Sequence, residues 1–180
     1  METNVWILMV LCIGLCNAVL IDIATHRIPN WLTLSIAMTC LALQGWFGQW
    51  DGLLLAGGGL VVGLLCFMPS YLFGAMGAGD VKLVAAIGTA LGPWGVFVTA
   101  VMTVIAGGAI ALLYIGLRGG MGAMIRRYGC MLTLLVQGHP QYLAPAANEA
   151  AAQRFPYAMA IACGTALSLW CLSGQCVLTV

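Results

Sequence analysis

Long apolar runs, separated by short polar or glycine-rich connections, extend over most of the chain. A helix needs roughly 20 predominantly apolar residues to cross a bilayer, and most of these runs approach or reach that length. The run at 80–92 is shorter than a full crossing. The pattern predicts an all-α integral membrane protein with one membrane-embedded domain over residues 1–180. The predicted helices are 5–24, 31–47, 52–73, 80–92, 94–117 and 155–172.

The basic residues decide whether the run at 80–92 crosses the membrane. If it crosses, every Lys and Arg falls on the same face, whereas a run that does not cross would carry the arginines of 118–154 to the other face. The positive-inside rule makes the basic face cytoplasmic. We therefore predict six transmembrane helices with both termini on the periplasmic side. The basic face contains Arg27, Lys82, Arg118, Arg126, Arg127 and Arg154.

The longest connection, 118–154, contains the segment "IRRYGCMLTLLVQG". Its arginines and its apolar residues are typical of a helix that lies in the cytoplasmic interface of the membrane. Arg126 and Arg127 are placed to contact anionic headgroups, which makes membrane lipids a predicted partner.

Composition excludes several functional classes. The chain is 63% hydrophobic and 6% charged, well outside the range of soluble globular domains. A net charge of +1 argues against a nucleic-acid partner. Most of the eight cysteines lie inside apolar runs, without a CxxC pair or a metal-ligand spacing, so they are interpreted as small hydrophobic residues.

Two acidic residues are predicted to lie on the same side of the membrane. Asp22 ends the first apolar run and Asp80 begins the fourth, so an even number of crossings separates them. Asp51 falls in an outer turn, while Glu2 and Glu149 lie in a terminus and a loop. Asp22 and Asp80 are therefore the two acids of the chain that can meet at helix ends near the membrane surface.

A carboxylate next to hydrocarbon is costly unless it is paired or faces a polar cavity. Purely structural roles are open to both acids: Asp80 as a helix cap, and Asp22 as a partner of Arg27. Two adjacent carboxyl groups resist joint ionisation, so one keeps its proton and the other stays charged. Such a pair can activate water as a base and protonate a leaving amine as an acid. Gly77 and Gly79 permit close approach of the backbone to another helix or to a substrate.

Two motifs around these acids resemble the type IV prepilin peptidase family. "GAGD" at 77–80 matches the GxGD signature of membrane aspartyl proteases, and "DIATHRIPN" at 22–30 matches the end of the family's first helix with its following basic segment. "DVKLVAAIGTALG" and "FPYAMAIACG" are similar to further blocks of the family. The resemblance covers nearly all of the chain and is weakest in 118–154.

The resemblance implies that Asp22 and Asp80 are the catalytic aspartates and that Gly77 and Gly79 are the GxGD glycines. The implied reaction removes a short basic leader from prepilins or pseudopilins at the cytoplasmic side of the bacterial inner membrane. The chain lacks the cysteine-containing insertion of larger members between its first two helices. It therefore resembles the short, peptidase-only form found with Flp/Tad pili, without N-methylation activity.

Four further residues are candidates for substrate binding or support of the site. Two roles are open to Lys82: it adjusts a carboxyl group or contacts the substrate, or it anchors the helix at the interface. Arg27 is expected to fix orientation from a solvated loop. Asn30 is expected to cap the second helix, and Pro29 and Asn30 are expected to shape and cap the turn that presents Asp22. Water is the nucleophile in this mechanism, so no metal or organic cofactor is expected.

Three other functions compete with this interpretation. A small ion or proton transporter would also contain acids within a helical bundle, but its path should place polar groups at several depths. A scaffold without catalytic activity would use the glycines and arginines for packing and topology alone. A GxGD protease that cuts inside membrane spans fits the "RIPN" block and the short chain less well.

Overall fold

The computed structural model describes residues 5–72, 76–118, 120–136 and 157–177. These residues form helices and their connections, and no strand occurs among them, which confirms the all-α prediction. Three of the helices are long and apolar enough to span a membrane. The helices are α1 (Val5–Thr25), α2 (Asn30–Leu72), α3 (Ala78–Leu117), α4 (Met121–Val136) and α5 (Tyr157–Val177).

Helix α2 joins two of the predicted helices through one non-helical residue. Gln49 has φ 49° and ψ −131°, and the helical pattern resumes directly after it. A Cβ on Gly52 would meet the carbonyl oxygen of Gln44, and Gly45 lies against Leu53. Residues eight apart in a straight helix are about 12 Å apart, so these contacts mean that the chain reverses at Gln49. The turn that the sequence predicts around Asp51 is thus a tight reversal at Gln49.

Helix α3 is interrupted in the same way at Gly92, which has φ 73° and precedes Pro93. This left-handed backbone favours glycine because a Cβ would clash there. Proline follows naturally at such a break, since it has no N–H to continue the helix. The apolar segments on either side of Gln49 and Gly92 match the predicted runs closely. The crossing of the membrane by each segment remains a prediction.

The second segment of α2 packs antiparallel against the first segment of α3. A Cβ on Gly59 would meet the carbonyl oxygen of Gly88, and one on Gly63 would lie against the backbone of Ala85. The small residues therefore bring two backbones into direct contact, as the spacings Gly59-x-x-x-Gly63 and Gly88-x-x-x-Gly92 in the sequence predict. The first segment of α2 also contacts the first segment of α3. The Gln44 side chain donates a 3.1 Å hydrogen bond to the carbonyl oxygen of Ala90.

The second segment of α3 packs antiparallel against α5. Thr99 Oγ1 lies 2.8 Å from Ser168 Oγ, and a Cβ on Gly164 would overlap Thr103. One turn further along, a Cβ on Gly107 would lie 3.3 Å from Ala160 Cβ. These three contacts follow one register and bring the start of α5 beside the part of α3 around Gly107.

The first segment of α3 lies in the centre of this packing. Every residue from Leu83 to Leu91 is buried. At 1.5 Å per residue the segment from Ala78 is about 20 Å long, shorter than the hydrocarbon core of a bilayer. A short segment is tolerated here because neighbouring helices, rather than lipid, surround it. Asp80 therefore lies in the first turn of a segment that neighbouring helices surround over most of its length.

The second compact unit of the chain begins at Gly108 and contains the end of α3 together with α4. The guanidinium of Arg118 lies 5.3 Å from the ring centroid of Tyr114, at cation–π distance. Helix α4 falls within the connection 118–154, where the sequence predicts an interfacial helix, and Arg126 is exposed on it. The rest of that connection, 137–154, lies outside the described residues.

Candidate active site

Asp22 lies in the last turn of α1, and the backbone after it explains how the helix ends. His26 has φ 50°, and its N–H donates a 2.8 Å hydrogen bond to the carbonyl oxygen of Asp22. This left-handed residue closes the helix, a conformation that His adopts more readily than most residues. The Thr25 hydroxyl lies 2.9 Å from the carbonyl oxygen of Ile21 and 3.0 Å from that of Arg27, which ties the turn together. His26 thus has a structural role at the end of α1.

The carboxylate of Asp22 is 6% exposed and accepts a hydrogen bond from another helix. The backbone N–H of Ala158, the second residue of α5, donates to its Oδ2 at 3.1 Å. The first N–H groups of a helix have no partner within the helix and attract negative charge. The start of α5 therefore satisfies a buried carboxylate that would otherwise be costly.

Asp80 lies in the first turn of α3 and binds the backbone that precedes it. The Gly77 carbonyl oxygen accepts hydrogen bonds from the amides of Asp80 and Val81, so Gly77 caps the helix. The Gly77 N–H in turn donates to Asp80 Oδ2 at 3.1 Å. A side chain at this position that reaches back to the capping residue is one half of a capping box. Asp80 thus helps to start its own helix, the structural role that the sequence left open.

The two carboxyl groups lie at the same end of the helical packing. Asp80 is half-buried and lies within electrostatic range of Asp22. In each carboxyl group Oδ2 accepts a backbone N–H, from Ala158 for Asp22 and from Gly77 for Asp80. The structure therefore places Asp22 and Asp80 at one end of the helices, and their position on the same side of a membrane stays a prediction.

Two contacts join the segment around Asp80 to the turn after Asp22. A Cβ on Gly79 would lie 3.1 Å from both the Cβ and the carbonyl oxygen of Ile28, whose side chain is buried. The Lys82 ammonium donates a 2.9 Å hydrogen bond to Oδ1 of Asn30. The absence of a side chain at Gly79 thus permits the close approach that the sequence predicts.

The model of the type IV leader peptidase family matches residues 9–112, which is more than half of the chain. The protein belongs to the type IV leader peptidase family. The matched range contains all eight predicted site residues, and α5 lies beyond it. Comparison with curated proteins and with solved structures finds no match.

As a member of the leader peptidase family, the protein is a multi-pass membrane peptidase. Within the described residues, no group of three or more His, Cys, Asp or Glu is arranged to hold a metal ion.

One detail of the predicted site is wrong in this leader peptidase. Asn30 does not cap α2, because the carbonyl oxygen of Pro29 accepts the first backbone hydrogen bonds, from Leu32 and Thr33. Asn30 is the first residue of the helix, and its side-chain oxygen binds Lys82 instead. A proline in the capping position loses nothing there, since its missing N–H has no helical partner to replace. Arg27 is exposed in the same turn, as expected.

Sequence reasoning missed the backbone group of α5 that contacts Asp22. A backbone N–H leaves no signature in the type of side chain, and Ala158 is an apolar residue in an apolar run. The available signal was the block "FPYAMAIACG", in which a proline next to a helix start indicates free N–H groups nearby. Pro156 itself lies outside the described residues.

Proposed function

We propose that this leader peptidase removes the short basic leader of Flp-type type IV prepilins or pseudopilins at the cytoplasmic face of the bacterial inner membrane. Asp22 and Asp80 act as its acid and base. The observation that carries this proposal is the placement of two carboxyl groups within electrostatic range, at one end of the helices, in a member of a peptidase family.

Water attacks the scissile carbonyl carbon, and the ionised carboxyl group of the pair takes the proton that water loses. The protonated carboxyl group donates a hydrogen bond to the carbonyl oxygen and then protonates the leaving amine. Because Oδ2 of each aspartate accepts a backbone N–H, the other oxygen of each exchanges the protons. The pair holds one proton before and after the reaction, because one carboxyl group gains a proton from water and the other gives its proton to the amine. The two groups therefore titrate as a unit.

The basic residues support an orientation in which the aspartates face the cytoplasm. Tryptophan is enriched at both membrane interfaces and marks the ends of the helices without giving their orientation. Exposed tryptophans lie at both ends: Trp31 follows Asn30 at the aspartate end, and the others lie near the start of α1, near both chain interruptions and near the end of α5. These others are Trp6, Trp46, Trp50, Trp94 and Trp170. Arg27 and Lys82 lie at the aspartate end, beside Asp22 and Asp80, where the positive-inside rule favours the cytoplasm.

The transporter alternative receives no support from the family match, which is to peptidases. The experiment below also tests the alternative of a scaffold without catalytic activity, because such a scaffold would not cleave any prepilin.

The test is leader removal from a co-expressed Flp-type prepilin, followed by gel shift and by the N-terminal mass of the product. Asp22→Asn and Asp80→Asn are the informative variants, because an asparagine oxygen can still accept the hydrogen bond from Ala158 or Gly77. The acid is lost and the local structure is kept. We expect uncut precursor with either variant, at the same membrane abundance as the wild type.

Asp51→Asn is the matched control, because Asp51 is exposed near the chain reversal at Gln49, away from the other two acids. It should cut like the wild type. Cleavage by both Asp22→Asn and Asp80→Asn would reject the acid–base pair. Failure of the wild type to cut any prepilin would reject the substrate class.

A further inference from the structure

The hydrogen bond between Lys82 and Asn30 connects two segments that lie 52 positions apart in the sequence. Both side chains are exposed, so burial of apolar surface does not explain the contact. Lys82 follows Asp80 by two positions, and Asn30 begins the helix that follows the turn after Asp22. The bond therefore joins the segments that carry the two aspartates.

The partner of Lys82 distinguishes between the roles open to it. Within the described residues, the Lys82 ammonium donates to the neutral amide oxygen of Asn30 and forms no ion pair with a carboxylate. An ammonium that acted only as an interfacial anchor would extend into water rather than across to another helix. A charged donor also forms a stronger hydrogen bond to an amide oxygen than a neutral donor does.

A second contact between the same segments makes the arrangement specific. Gly79 lies directly against Ile28, and Lys82 binds Asn30 almost one helical turn further along α3. One contact alone would let the start of α3 pivot about a point. Two contacts fix both the distance and the rotation of the turn that carries Asp80 relative to the turn that follows Asp22.

We infer that Lys82 and Asn30 form a positioning pair that sets the spacing of Asp22 and Asp80. This inference rests on the proposed acid–base function of the aspartates. Neither residue contacts the reacting atoms; both act through the segments that they join. Acid–base catalysis depends steeply on such placement, since a shift of about 1 Å can cost on the order of 100-fold in rate.

The test is a double-mutant cycle on the purified protein in detergent, with rates of leader removal measured from a Flp-type prepilin. Lys82→Met and Asn30→Leu each remove the bond, and we expect each to lower kcat roughly tenfold or more with a smaller change in KM. The double variant should be no slower than the slower single variant, because both changes break the same contact. Lys82→Arg and Asn30→Asp keep a donor and an acceptor, and each should recover most of the lost rate.

Asn17→Leu is the control for loss of an exposed asparagine. Its side chain binds the carbonyl oxygen of Ile13 within its own helix and does not join two segments. It should cut at the wild-type rate.

Three results would overturn the inference. Multiplicative rate losses in the double variant would show that the residues act separately. A rise in KM confined to the Lys82 variants would assign Lys82 to the substrate. A wild-type rate for Asn30→Leu would show that the bond does not position the site.

The proposed function fails in a different way, through a wild-type protein that leaves every prepilin uncut. In that case thermal unfolding of the same four proteins still decides whether the pair is coupled. Melting temperatures that shift additively would reject the contact, and non-additive shifts would support it.

Discussion

The backbone N–H of Ala158, at the start of α5, donates a 3.1 Å hydrogen bond to the Asp22 carboxylate, at the end of α1. The two residues are 136 positions apart, and Ala158 is fully buried. The first and last described helices thus meet at one of the two candidate catalytic groups. The site is therefore built from three parts of the chain: the end of α1 with Asp22, the start of α3 with Asp80, and the start of α5 with Ala158.

Removal of this N–H should slow the enzyme without unfolding it. Ala158→Pro deletes the donor in the first turn of α5, where a helix tolerates proline. A hydrogen bond to a charged group contributes about 1.5–3 kcal/mol, so we expect a loss of roughly 10- to 100-fold in the rate of leader removal. The measurement is the cleavage rate per folded molecule, with thermal unfolding as the check on folding.

Ala158→Gly is the control for the side chain, because it keeps the N–H. It should cut faster than Ala158→Pro. Equal rates for these two variants would show that the hydrogen bond to Asp22 is unimportant for catalysis.

Gly79→Ala should displace the turn that carries Asp80. The new Cβ would lie 3.1 Å from the Cβ and carbonyl oxygen of Ile28, closer than side chains normally pack. A shift of a few tenths of an ångström should lower kcat by about threefold to tenfold, on the scale of the steep dependence on placement. The adjacent Ala78 is exposed, so Ala78→Ser serves as a neighbouring control with the wild-type rate. A normal rate for Gly79→Ala would mean that the turn can yield without harm.

Two glycines in α2 should respond in opposite ways to the same substitution. Gly59→Ala places a Cβ on the carbonyl oxygen of Gly88, and overpacking of this kind costs about 1–3 kcal/mol. Gly57 has open space around its Cβ position, so Gly57→Ala should stabilise by up to about 1 kcal/mol. Thermal unfolding in detergent measures both. Equal shifts would contradict the close packing of α2 against α3.

Two threonines in α3 provide a second pair of opposite effects. The hydroxyl of Thr103 is buried and, among the described residues, has no hydrogen-bond partner. Thr103→Val should therefore raise the melting temperature by about 1–4 °C, because an unsatisfied polar group is removed. Thr99→Val should lower it by a similar amount, because Thr99 binds Ser168. A lower melting temperature for Thr103→Val would show that its hydroxyl is satisfied in the membrane.

The sequence predicted the helical segments of this protein well, because length and apolar composition decide them locally. The apolar runs correspond to α1, to the two parts of α2, to the two parts of α3 and to α5. The prediction that Asp22 and Asp80 lie on the same side of the membrane follows from counting runs, and it does not depend on side-chain detail. The close packing at Gly59 and Gly88 followed from spacing alone, since three intervening residues place glycines on one helical face.

The sequence did not predict how the site is held together. It assigned the cap of α2 to Asn30, whereas the carbonyl oxygen of Pro29 takes that position and leaves the Asn30 side chain to Lys82. Capping preferences rank single residues in isolation, and a competing partner from another helix overrides them. The contact of Ala158 with Asp22 also escaped, because a backbone donor is present in every residue type other than proline.

The sequence by itself determined that the chain is helical, with segments long and apolar enough to span a membrane, and that two acids lie at the same end of these segments. These properties depend on the transfer of apolar segments from water to lipid. The length and composition of each segment determine that transfer without contacts to other segments. Only the tertiary structure decided which groups surround the acids: Ala158 at Asp22, Gly77 at Asp80, and the bond between Lys82 and Asn30. Most of these contacts join positions far apart in the chain, and their geometry exists only after the helices have packed.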